Sequence, residues 1–275
     1  MSAQARPLNR DRLSVLIATL LLGNVLFRFI RLPTHVWHLN PLGSPLQVEV
    51  TGTWLLVTLM VGLVCTGTNL IMHQHPVLEA RPERPVYVFW ILPGLLAGLA
   101  AYLLQFAPTW QVWAVGLVAM AVLVGLTVAA EYASVAPESS GYGAARLALN
   151  MLAYLLAFAL FVLIYQSRVR SLVSATLVLI VAFLVALDLL SATEAAYGRV
   201  LLFATANALV IGECTWALNY SGLSAWAGGL LLLALFYILV NVSHQHLLGR
   251  LSRATVIEFV VVGILVLALI LVRTF

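Results

Sequence analysis

Long apolar runs, separated by short polar stretches, make up most of the chain. Because the hydrocarbon core of a bilayer takes about 20 apolar residues per helix, each run is long enough to cross a membrane. The pattern predicts an all-α fold, a polytopic transmembrane helical bundle with short loops and about nine membrane-spanning helices. The predicted helices are 13–30, 51–72, 86–106, 111–132, 144–166, 171–190, 197–217, 224–246 and 254–273.

The residues outside the predicted helices are too few to form a soluble domain. We expect 1–12 to be a cytoplasmic tail and 13–275 to be a single integral membrane helical domain. Arginines precede 13–30 as in a signal peptide, but no small-residue cleavage site follows, so this segment is predicted to be a retained helix. The connection 31–50 contains three prolines, which disfavour a helix. It is therefore predicted to be an extended or half-turn strap along the outer membrane interface.

Composition narrows the possible functions. Of 275 residues, 63% are hydrophobic and 9% are charged, against roughly 25% charged in an ordinary soluble domain. This excludes a soluble enzyme and a nucleic-acid binder. The expected partners are the lipid bilayer and, in one interpretation, other membrane protein subunits. The sequence contains no lysine, which excludes a retinal or pyridoxal Schiff base and a Walker A motif, and no cofactor is predicted.

The arginines also predict an orientation. If the predicted segments alternate across the membrane, nine of the fourteen arginines lie on the side that holds the N-terminus. Because basic residues concentrate in cytoplasmic loops, the N-terminus is predicted to be cytoplasmic. The arginine bias is typical of a GC-rich bacterial genome. The predicted location is thus the bacterial cytoplasmic (inner) membrane.

Histidines and carboxylates near the cytoplasmic ends of several predicted helices indicate a candidate metal site. Imidazole and carboxylate groups are common ligands of divalent metals. The candidate ligands are His73, His75, Glu131 and His244. The competing interpretation, which we favour, is that polar side chains at helix ends reach towards water.

Polar side chains also follow helical spacing within the predicted spans. We expect such faces to turn inward, because lipid cannot satisfy their hydrogen bonds. They either line a substrate path or hold helices together. The candidates are Thr58 and Asn69 on the second predicted helix, Asn207 and Glu213 on the seventh, and Tyr237 and Asn241 on the eighth. Glu213 is expected to face the bundle beside Trp216 and Tyr220 and to pair with Arg168 or Arg170. Gly94 and Gly98 form a G-x-x-x-G motif that predicts close helix packing.

No catalytic motif is present, so an enzyme is not favoured. The preferred hypothesis is a permease-like protein that handles a small solute or lipid. The alternative is a structural or assembly subunit of a larger membrane complex. A second alternative is an intramembrane metal-dependent enzyme acting on lipid head groups, which requires the predicted metal site.

Overall fold

A computed structural model describes residues 8–30, 34–39, 46–80, 85–136, 141–167, 170–193, 195–250 and 261. Nine α-helices lie in this part of the chain. They are α1 (Arg10–Phe29), α2 (Gly52–Met72), the short α3 (Pro76–Ala80), α4 (Ile91–Leu104), α5 (Trp110–Ser134), α6 (Tyr142–Gln166), α7 (Ser171–Ser191), α8 (Tyr197–Leu218) and α9 (Ala225–Leu247). A 3₁₀ turn, Val86–Trp90, leads directly into α4.

Eight helical stretches in the described part of the chain are long and apolar enough to cross a membrane. The 3₁₀ turn and α4 together form one of them, Val86–Leu104. This confirms the predicted all-α bundle of membrane-spanning helices. The ninth predicted segment, 254–273, lies outside the described residues except for Val261.

The connection between α1 and α2 contains two short strands. β1 (His35–Leu39) and β2 (Leu46–Val50) pair in antiparallel fashion, with His35 opposite Val50 and Leu39 opposite Leu46. The sequence predicted extended or half-turn backbone here without predicting that it pairs. Pairing satisfies backbone N–H and C=O groups, which is most valuable where water is scarce.

Local sequence signals fix several helix starts. The side chains of Asn9, Thr109 and Ser224 each accept a hydrogen bond from a backbone N–H in the first turn of α1, α5 and α9. These side chains satisfy donors that have no partner within the helix. Pro93 is the third residue of α4, within the first turn, where proline is tolerated.

The chain divides into two compact units, Met1–Leu149 and Asn150–Phe275. In the first unit, α2 packs against α1 and α4, and α5 packs against α1 and α4. In the second unit, α7 packs extensively against α8, and α9 contacts both. The prediction that 13–275 forms a single domain stays a prediction.

Glycines permit close helix approach inside each unit. A Cβ atom at Gly98 would lie 2.9 Å from Val61 on α2, and one at Gly94 would lie 3.1 Å from Cys65. The predicted packing role of this G-x-x-x-G motif is therefore confirmed. In the second unit a Cβ atom at Gly229 would lie 3.1 Å from the backbone of Val162 on α6.

Candidate functional site

A hydrogen-bonded pair of polar side chains joins α8 to α9 in the second unit. Asn207 lies at the midpoint of α8, ten residues after Tyr197 and eleven before Leu218. Its Oδ1 accepts a hydrogen bond of 3.1 Å from Oγ of Ser243 on α9. Asn207 is 4% exposed and Ser243 is 5% exposed, so the pair is enclosed by protein. We call these two residues the Asn207–Ser243 pair.

The side-chain amide nitrogen of Asn207 is a hydrogen-bond donor that remains unsatisfied in the described structure, and we call it the open donor. Nδ2 of Asn207 is buried and has no hydrogen-bond partner among the described residues. Leaving a buried polar group unsatisfied costs about 1–3 kcal/mol. The same is true, within the described chain, of Oγ1 of Thr68 and Nε1 of Trp90 in the first unit. Sequence reasoning singled out Asn207 but missed Ser243, Thr68 and Trp90, since serine, threonine and tryptophan are ordinary in membrane helices.

A second polar contact lies on a different side of α9. Nδ2 of Asn241 donates to Oη of Tyr154 on α6 at 3.1 Å and to the carbonyl of Tyr237 at 2.8 Å. The rings of Tyr154 and Tyr237 are 5.4 Å apart. Because residues two apart on a helix point about 200° apart, Asn241 and Ser243 face different neighbours. α9 thus has polar contacts with both α6 and α8.

The polar stripe of α2 does not turn inward as expected. Thr58 is exposed and Asn69 is half-buried, and Thr66, which lies between them on α2, is exposed as well. The hydroxyl groups of Thr58 and Thr66 donate to the carbonyls of Trp54 and Gly62 on their own helix, each at 2.8 Å. Because the helix satisfies these hydroxyls, the face has no need to be covered by protein.

The expectation that Glu213 faces the bundle is also wrong. Glu213 is exposed, and so are Trp216 and Tyr220, at 49% and 77%. Glu213 and Trp216 share one face of α8, as their spacing predicted, and Tyr220 follows just beyond the end of the helix, but this face lies on the outside. The buried face of α8 is formed instead by small and polar residues such as Ala204, Asn207 and Gly212. The predicted ion pair with Arg168 or Arg170 stays a prediction, and Arg168 lies outside the described residues.

The structure places the candidate metal ligands in different environments. His75 is 2% exposed, its Nδ1 accepts a hydrogen bond of 3.2 Å from the backbone N–H of Val77, and its ring lies 4.6 Å from that of Tyr132. Burial lowers the pKa of His75, which favours the neutral imidazole. Glu131, next to Tyr132 on α5, is fully buried.

His73 is exposed, and His244 is half-buried in the second unit. Among the described residues no group of three or more His, Cys, Asp or Glu side chains is arranged to hold a metal ion. The geometry therefore gives the metal hypothesis no support beyond the approach of His75 to α5, and the hypothesis stays a prediction.

In the described part of the second unit the buried Ser174, Asn207, Thr215 and Ser243 carry neutral polar side chains, and the buried Asp188 carries a carboxyl group. Amide, serine hydroxyl and phenol groups offer both hydrogen-bond donors and acceptors. Such groups suit an uncharged polar ligand, because binding it requires no charge to be moved into a low-dielectric interior.

The eight apolar helical stretches of membrane-spanning length in the described part of the chain, with polar contacts between helices, are typical of a helical membrane protein. The chain belongs to the DUF5656 family, described as proteins of unknown function, whose family model matches residues 32–273. Comparison with curated proteins and with solved structures gave no significant match.

Proposed function

We propose that this chain is a multi-pass, permease-like protein of the bacterial cytoplasmic membrane, with a cytoplasmic N-terminus, that passes a small uncharged polar solute. The observation that carries this proposal is the open amide donor of Asn207 at the midpoint of α8. Transporters commonly bind their substrates near the bilayer midplane. A solute with a hydroxyl or carbonyl oxygen would accept the hydrogen bond that Nδ2 lacks.

The orientation of the Asn207 side chain favours a binding role over simple helix packing. Two other asparagines within spans, Asn24 and Asn241, each donate from Nδ2 to the backbone carbonyl four residues earlier. In the described structure Asn207 makes no such bond and directs Oδ1 to Ser243 instead. A site for a polar ligand explains why a buried amide keeps a donor open when its own helix offers an acceptor.

The test is osmotic swelling of proteoliposomes with glycerol and xylitol as probe solutes, followed by light scattering. We expect the wild-type protein to raise the permeability to at least one probe above that of empty liposomes. Replacing Asn207 with leucine should lower this permeability about tenfold, because one hydrogen bond worth about 1.4 kcal/mol is lost.

The matched control is Thr205→Val on the same helix. Thr205 is exposed, and its hydroxyl donates to the carbonyl of Leu201, so the control should keep wild-type permeability. Equal swelling of wild-type and empty liposomes, or full activity of Asn207→Leu, would contradict the proposal.

The exposed stripe on α8 favours a second candidate, a subunit of a larger membrane complex. A carboxylate on the outer surface of a membrane helix is costly against lipid, and an arginine of a partner helix would neutralise it. This candidate predicts that native mass spectrometry of gently extracted protein detects a stoichiometric partner. Replacing Glu213 with glutamine should release that partner, whereas a lone wild-type chain would exclude the subunit role.

A further inference from the structure

A groove of about 490 Å³ runs between α1 and α2 in the first unit. Its walls include the apolar side chains of Val15, Leu16, Leu63 and Leu70. The lining also contains two threonines, but the hydroxyls of both Thr19 and Thr66 donate to carbonyls of their own helices. The wall therefore presents mainly hydrocarbon along its length.

Two charged side chains line the groove at the N-terminal end of α1. Asp11 and Arg12 are both exposed there. Nη1 of Arg12 donates to the carbonyl of Leu70 at 3.0 Å, and in the amide orientation that satisfies both groups the side-chain oxygen of Gln74 lies 2.7 Å from Nη2. These contacts hold the guanidinium at the end of α2. A guanidinium has five N–H donors, so donors remain for an external ligand.

The groove has the length of a lipid tail in one leaflet. From Asp11 to Thr19 the helix rises about 12 Å, at 1.5 Å per residue. One leaflet contributes about 15 Å of hydrocarbon thickness. A chain lying along the groove would have its polar end beside Asp11 and Arg12 and its apolar end near Thr19.

We propose that this groove binds one phospholipid whose head group carries an ammonium ion, as in phosphatidylethanolamine. The lipid phosphate accepts hydrogen bonds from Arg12, the ammonium group pairs with Asp11, and one acyl chain lies against the apolar wall. The adjacent opposite charges select this lipid class. An anionic lipid without an ammonium group would leave the Asp11 carboxylate beside a phosphate, and like charges repel.

The groove can be blocked without disturbing the packed core. Val15 is 65% exposed and lines the groove, whereas Leu22 on the same helix is 66% exposed and is not part of the lining. Val15→Trp fills the groove, and Leu22→Trp is the matched control. Asp11→Asn tests head-group selection while leaving the apolar walls unchanged.

The experiment purifies each full-length protein from vesicles with equal amounts of phosphatidylethanolamine and phosphatidylglycerol and counts retained lipids by native mass spectrometry. We expect the wild type and Leu22→Trp to retain one phosphatidylethanolamine per chain, at least fivefold in excess of phosphatidylglycerol. Val15→Trp should lose this lipid, and Asp11→Asn should retain both lipids about equally.

Two results would overturn the inference. One is wild-type retention without head-group preference, and the other is unchanged retention by Val15→Trp. Because the groove lies in the first unit and Asn207 in the second, solute flux and lipid retention are tested by separate variants. A negative result in the lipid-retention assay therefore does not contradict the proposed solute permeability, and a negative result in the flux assay does not contradict lipid binding.

Discussion

Replacing Asn207 with leucine should stabilise the folded protein even though it lowers the proposed solute permeability about tenfold. The substitution removes the hydrogen bond to Ser243, and side-chain hydrogen bonds between membrane helices average about 0.6 kcal/mol, with a maximum of about 1.7 kcal/mol. It also removes the open Nδ2 donor, which costs about 1–3 kcal/mol when buried. The expected net change is a gain of about 1 kcal/mol.

The hydroxyl group of Ser243 should remain hydrogen-bonded when Asn207 is replaced. Like other hydroxyls in this protein, it can donate to a carbonyl one turn earlier on its own helix. Leucine branches at Cγ as asparagine does, but its two methyl groups are bulkier than the amide oxygen and nitrogen, so an overpacking cost offsets part of the gain at this buried position.

The assay is thermal unfolding of the purified protein in detergent, at constant protein and detergent concentration. A gain of about 1 kcal/mol corresponds to a rise in Tm of about 2–4 °C for a chain of this size. Ser243→Ala is the companion variant and should lower the Tm slightly, because it leaves Oδ1 of Asn207 without its donor. A decrease in Tm of more than 4 °C for Asn207→Leu would refute the reasoning, since it would mean that the amide is satisfied and holds the helices together.

Three further predictions concern packing, protonation and a buried hydroxyl, each measured by thermal unfolding in detergent. Gly229→Ala should lower the Tm by a few degrees, because the added Cβ would lie within 3.1 Å of the backbone of Val162 and overpacking costs about 1–3 kcal/mol. The control Gly62→Ala, whose Cβ would have nothing within 4 Å, should not lower the Tm. Equal losses of Tm in the two variants would contradict the packing explanation. Because burial lowers the pKa of His75, its stabilising contribution is present above the unfolded pKa of about 6.5 and is lost as pH falls through the folded pKa. His75→Asn, which keeps an acceptor for the backbone N–H of Val77, should therefore reduce the loss of Tm between pH 7.5 and 5. An unchanged dependence of Tm on pH would exclude His75 as the source of that loss. Tyr165→Phe removes a 2.7 Å hydrogen bond to a carbonyl near the end of α8 and should cost about 1 kcal/mol, whereas a Tm equal to the wild type would show that this bond adds no net stability.

The helices could be predicted from the sequence because apolar length alone determines which segments can cross a bilayer. The close approach of α4 to α2 was also predictable, since Gly94 and Gly98 repeat on one helical face. The hairpin of β1 and β2 was predicted only as an extended or half-turn strap. Prolines exclude a helix locally, but they do not show which residues pair across a turn.

The sequence could not predict which face of each helix packs against the protein and which face is exposed. In a soluble protein, polar residues mark the outer face, but in lipid both the interior and the surroundings are apolar. The interpretation that polar faces turn inward failed for Thr58 and Glu213, which are exposed. For Thr58 the reason is that its hydroxyl donates to its own helix, so polarity alone does not require a protein partner.

This distinction identifies which polar residues of a membrane helix carry functional information. Thr58, Thr66 and Thr205 all bond to a carbonyl four residues earlier, and any membrane helix can hold such side chains at little cost. Asn207 instead directs its oxygen to another helix and, in the described structure, keeps a buried donor open. Its own helix could have satisfied that donor, so the observed arrangement lowers the stability of the folded protein. A ligand that accepts a hydrogen bond from this donor, at the midpoint of the span, would restore the lost stability.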